Sequence, residues 1–143
     1  MNGSERNDRG GSMVELALLL PLLLLILAGI ADLGRAFHDS IVINNASREG
    51  ARYASHFPND ETRIKETARD EAVNSGVAID TNLVSVNCPV DCSDVASTSG
   101  MPITVTVRYP FHTILAQILG VRTITLTSNT SMVVFGYDQV GVE

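Results

Sequence analysis

The sequence predicts an α+β fold in which a long N-terminal transmembrane helix continues into an exported helix, followed by a second helix and a small antiparallel sheet of about three strands. Three observations predict it. The run Leu16 to Ala31 is uncharged and dominated by leucine. Beyond it, small and apolar residues recur at helical spacing as far as Phe57, and again between Glu61 and Ser75. After Gly76 the pattern changes to alternation in segments rich in Thr, Val and Ile.

The first element is the apolar run. From Met13 to Ala31 the only charge is Glu15, and the stretch amounts to about 28 Å of helix, enough to cross a bilayer core. It has no polar face, and so small a protein could not bury it on every side. Membrane insertion is therefore expected, with the span at residues 13–31. Orientation is weakly marked, since Arg6 and Arg9 before the span nearly balance Arg35 and Arg48 after it. Pro21 has two readings of equal weight: a tolerated kink that frees the carbonyl of Ala17, or a bend used when the helix leaves the bilayer. Just past the block, Asp32 and Arg35 lie three apart, where a solvated interfacial pair is expected.

Such a segment serves as a removed secretory signal, as a plain signal anchor, or as the processed signal of a filament subunit. Gly29-Ile30-Ala31 offers small residues where a signal peptidase inspects them, so a mature chain beginning at Asp32 stays open, and with it a secreted or anchored envelope binding domain. Against that reading stands Glu15, because an acid placed within the bilayer costs about 2.5–3.5 kcal/mol. The string Arg9-Gly10-Gly11-Ser12-Met13-Val14-Glu15 resembles a prepilin peptidase site, with a charged leader, a Gly before the cut and an acid after it. Cutting after Gly10 exposes an ammonium on Gly11 and leaves Glu15 fifth; cutting after Gly11 would leave it fourth. An acid in apolar surroundings becomes tolerable when an opposite charge pairs with it.

The resemblance widens from there. Val14-Glu15-Leu16-Ala17, Leu20-Pro21-Leu22, Gly29-Ile30-Ala31-Asp32-Leu33-Gly34-Arg35 and Asn45-Ala46-Ser47-Arg48-Glu49-Gly50-Ala51-Arg52-Tyr53-Ala54 fall in the order of the TadE-like domain of tight-adherence pilus systems. Gly11 to Ala54 is thus similar to that family. Leu16 departs from major pilins of related systems, which carry Tyr after the acid, and this points to a minor subunit. The resemblance implies a pilin-like fold and a minor pilin or pseudopilin that helps to assemble a pilus or secretion filament for adhesion. Its implied partners are the lipid bilayer, a prepilin peptidase, other pilus subunits and an inner-membrane assembly platform. The implied location is the bacterial cell membrane, single-pass with the C-terminal domain outside the cytoplasm, or an extracellular filament. Residues 1–10 are then the leader, 11–57 the N-terminal helix and 58–143 the exported domain.

Beyond the span, Ala36, Ile43, Ala46, Gly50, Ala54 and Phe57 form a narrow stripe, suited equally to the protein's own core or to a neighbouring subunit. Pro58 ends this helix and Asp60 can cap the next, over Glu61 to Ser75, with Ile64, Ala68, Ala72 and, at the margin, Val73 inward; Gly76 stops it. Leu83–Val86, Ile103–Tyr109 and Ile124–Val134 are the expected strands, and Pro110 to Gly120 a short apolar helix or crossover. The loop from Asn87 to Gly100 is expected to project as a partner-facing surface. Within it Cys88 and Cys92 are compatible with a small disulfide loop, free thiols being the other reading; a single pair leaves a tetrahedral metal site half empty.

The composition excludes some functions. Net charge is −6, lysine is represented by Lys65 alone and tryptophan is absent, which disfavours nucleic acid. His38, His56 and His112 sit in no metal-binding spacing, and neither a nucleophile elbow nor a phosphate-cradling glycine loop is present. No enzyme activity, metal or cofactor is expected. Asn45-Ala46-Ser47 and Asn129-Thr130-Ser131 match glycosylation acceptors, a pattern common by chance.

Overall fold

The computed structural model describes residues 8–89, 92, 99–115, 120 and 123–135, with side chains from residue 11 onward. Helix α1 runs from Asp8 to His56 without interruption, passing through Pro21, and at 49 residues is about 73 Å long. Its two halves have opposite environments. Residues 11–27 are all exposed, whereas Ile43, Ala46, Ala51 and Ala54 are buried.

Helix α2 spans Glu61–Asn74. The Asp60 carboxylate accepts a hydrogen bond from the Arg63 N–H at 3.1 Å, satisfying one of the donors left over at a helix start. Ile64, Ala68 and Ala72 are fully buried, as their spacing predicts. Val73 is not: it is 43% exposed, because one step of about 100° beyond Ala72 turns it off the buried stripe. Gly76, at a φ of +89°, closes the helix in the left-handed region that glycine adopts without strain.

After a 3-10 turn at Thr81–Leu83 come β1 (Val84–Asn87), β2 (Pro102–Phe111) and β3 (Ile124–Val133), an antiparallel meander in the order β1-β2-β3. Central strand β2 is longer than its expected core and includes two prolines. Both lie where β1 has ended, since β1 pairs only from Val107 to Thr104; Pro102 and Pro110 face β3 alone. A residue without an N–H is tolerated at such places.

Alternation puts Ile103, Val105 and Val107 under the helices at 0% exposure, while Arg108 faces outward. Both helices therefore cover one face of the sheet. The elements approach closely at Gly50, where an added Cβ would stand 3.0 Å from the Ala68 Cβ and 3.1 Å from Val105 Cγ1. The central part of the small-residue stripe is thus occupied by the protein's own domain; Ala36 is half-buried and Phe57 is exposed, packed on the Tyr53 ring. Strand β3 meets α1 through hydroxyls. Ser47 Oγ donates to the Asn44 carbonyl at 2.9 Å and lies 2.8 Å from Thr130 Oγ1 and 3.1 Å from Ser128 Oγ. Ser47 has one proton to donate, so with that proton on Asn44 the two strand hydroxyls donate to it.

Candidate functional site

The residues singled out for processing and register lie at the free end of α1. Gly10 and Gly11 fall within its first turns, and nothing stands within 4 Å of the place where a Gly11 side chain would be. Glu15 is exposed, and among the described residues it has no ion-pair partner. About 21 Å of helix separates it from Gly29, where Leu115 of the folded domain comes alongside the helix. Among the described residues nothing covers the leucines between: Leu18 is 74% exposed and Leu27 62%. A helix of this length and composition, with its most apolar stretch wholly unburied, suits a bilayer as its solvent.

The junction at the end of that stretch is built differently from the solvated pair expected there. Asp32 is buried, at 6% exposure. Its two carboxylate oxygens accept separate backbone hydrogen bonds, Oδ1 from the Ile114 N–H at 2.8 Å and Oδ2 from the Leu115 N–H at 2.9 Å. Arg35 stands 3.6 Å from Oδ1, and its guanidinium lies 5.5 Å from the centroid of the Phe111 ring. Burial favours the neutral acid, but the two N–H donors and the Arg35 charge outweigh it and hold the Asp32 pKa below the ordinary carboxylate value. Asp32 thus fastens the turn after β2 to the helix where it leaves the apolar block. Sequence spacing pairs Asp32 with Arg35 and gives no sign of Ile114 or Leu115, which lie more than eighty residues away.

Above the junction, the exposed flank of α1 carries Arg52 hydrogen-bonded to Glu49, which keeps the Glu49 pKa low. Its last turn holds the end of β3, because the Phe135 N–H donates to the Ser55 carbonyl at 2.9 Å. Cys88 and Cys92 form a disulfide with a Cα–Cα distance of 6.0 Å, and both pack against the core. Most of the Asn87–Gly100 loop proposed as a partner surface, and residues 116–119 of the expected apolar helix, lie outside the described residues; within that helix Ile114 and Leu115 are helical.

Residues 10–52 match the family model described as TadE-like protein. The match opens one residue before Gly11 and closes two residues before Ala54, so it takes in Glu15, Pro21, Asp32, Arg35, Ser47 and Gly50. It covers the exposed apolar helix and most of the packed half of α1, and stops before α2 and the sheet. No curated protein and no solved structure matches the chain.

Proposed function

We propose that this protein is a membrane-anchored minor pilin or pseudopilin that takes part in assembling a tight-adherence pilus or a related secretion filament, as a structural subunit and not an enzyme. The observation that carries this reading is one TadE-like helix with an acid near its start, followed by an apolar surface that the described residues leave wholly uncovered. A prepilin peptidase cuts after Gly10, the leader stays in the cytoplasm, and the folded domain lies on the far side of the membrane. The ammonium made on Gly11, on the same or a neighbouring subunit, then pairs with Glu15 and sets the register in which helices join the filament. Pilus subunits and an inner-membrane platform are its partners, and adhesion is the filament's purpose.

N-terminal sequencing of the mature protein tests the proposal. A start at Gly11 is expected; a start at Asp32 would mean that the apolar segment is an export signal and would end the pilin reading. The Glu15→Ala variant is expected to be cut normally and to assemble poorly. Unchanged filament formation would remove the proposed pairing.

A further inference from the structure

The folded domain does not stand clear of the apolar block. Gly29 lies two residues before the end of that block, about 3 Å of helix below Ala31. A Cβ placed on Gly29 would stand 3.6 Å from Leu115 Cδ1, so the turn after β2 returns to the depth of the last turn of the span. Among the described residues, large apolar side chains stand exposed at that depth: Ile114 is 40% exposed and Ile124 50%, beside Ile30 and Leu33 of α1 at 63% and 58%.

The polar groups there are arranged for a poorly hydrated layer. Asp32 takes the backbone N–H groups of Ile114 and Leu115, and a peptide N–H that leaves water must be satisfied within the protein. Arg35, paired with Asp32 and lying against Phe111, keeps 54% of its side chain exposed, so lipid phosphate can approach it from outside. At the same level a groove of about 200 Å³ opens between Gly29, Ala36 and Phe111, wide enough for acyl-chain carbons.

We propose that the base of the folded domain, made by Ile114, Leu115 and Ile124 with Ile30 and Leu33, is seated in the interfacial layer of the leaflet from which α1 emerges. Lipid covers this surface because the surface is continuous with the lipid-facing span and lies at the depth of its end. Insertion of this kind reaches about 5–10 Å into the boundary between headgroups and acyl chains. The domain therefore has a fixed height and tilt over the membrane, and extraction into a filament must strip lipid from the base as well as from the helix. The inference rests on reading residues 13–31 as the membrane span.

The chain contains no tryptophan, so single-tryptophan variants of the full-length protein report their own surroundings. Leu22→Trp, Ile114→Trp, Ile124→Trp and Val73→Trp are reconstituted in vesicles of phosphatidylcholine and phosphatidylglycerol. Each is read for emission wavelength, for quenching by lipids brominated near the head or near the end of the acyl chain, and for quenching by aqueous acrylamide. Leu22→Trp is expected to lose emission to the deep bromines. Ile114→Trp and Ile124→Trp are expected to shift to the blue and lose emission to the shallow ones, and Val73→Trp to respond to acrylamide alone. Quenching at Leu22 with none by lipid at positions 114 and 124 overturns the seating and leaves the span intact, whether acrylamide reaches those positions or a second protein copy shields them. Absence of lipid quenching at Leu22 overturns the span and the inference with it.

Discussion

The two halves of α1 are one continuous helix in two surroundings, one uncovered and one packed. Between residues 11 and 27 every side chain is exposed and the apolar character runs around the whole circumference. From Val42 to Ala54 the buried positions are a stripe of small residues with one valine and one isoleucine, facing α2 and the sheet. Leucine dominates where no described residue packs on the helix and shape imposes no limit. Alanine and glycine dominate where a second helix and a strand must come within van der Waals reach, as at Gly50.

Placing the same charge in each half is the strongest way to break this comparison. Ala46→Asp buries an acid with no partner at a position of 0% exposure, and a loss of about 3–5 kcal/mol is expected, comparable to that of breaking a buried ion pair. The protease-resistant domain should disappear while the chain still resists alkaline carbonate extraction. Leu22→Asp should do the reverse, weakening insertion by about 2.5–3.5 kcal/mol and raising the carbonate-soluble fraction while the domain remains protease-resistant. If both variants failed in both assays, the halves would not be independent.

A subtler change sharpens the packing side. Gly50→Ala forces a methyl group against Ala68 and Val105, and an overpacking loss of about 1–3 kcal/mol is expected, read as a lower Tm by circular dichroism in detergent. Gly34→Ala, where a Cβ meets nothing, should leave Tm unchanged or slightly raised.

The smallest global effect is expected at the boundary between the halves. In Asp32→Asn one of the two carboxylate acceptors becomes an NH2 group, so one of the Ile114 and Leu115 amides loses its acceptor. Faster hydrogen exchange confined to those two amides is the expected readout. The pH dependence has a definite sign. Because the pKa of Asp32 is lower in the folded protein than in the unfolded chain, its contribution is complete at neutral pH. It is lost as the pH falls through the ordinary carboxylate value toward the folded one. Exchange at both amides should therefore accelerate, beyond the intrinsic rate change, only in acid, and Asp32→Asn should abolish that acid-dependent step.

The helical and strand patterns were readable because each rests on a local period. Ile64, Ala68 and Ala72 mark the inner face of α2, and Ile103, Val105 and Val107 that of β2; all six are fully buried. The cap at Asp60 and the stop at Gly76 follow from chemistry confined to a few neighbours. The Asp32 junction was misread because its nearest visible partner, Arg35, supplies a sufficient local explanation, whereas the stronger donors come from the far end of the chain. Ser47 was likewise legible only as part of a glycosylation triplet and of the string that carries the resemblance. Its role as acceptor for Ser128 and Thr130 depends on β3 lying across α1, which no local period encodes.

By itself the sequence determined the two-part character of α1, the order and type of the elements, and the resemblance that the family match at residues 10–52 bears out. Each follows from composition or spacing within a few tens of residues, where side-chain direction is fixed by the helix or strand period. Tertiary structure alone decided that the central part of the small-residue stripe is filled by the chain's own α2 and β2. It also decided that Asp32 fastens the turn after β2, and that this turn reaches back to the depth of Gly29. Those outcomes depend on which distant groups meet, and only the packed chain sets that.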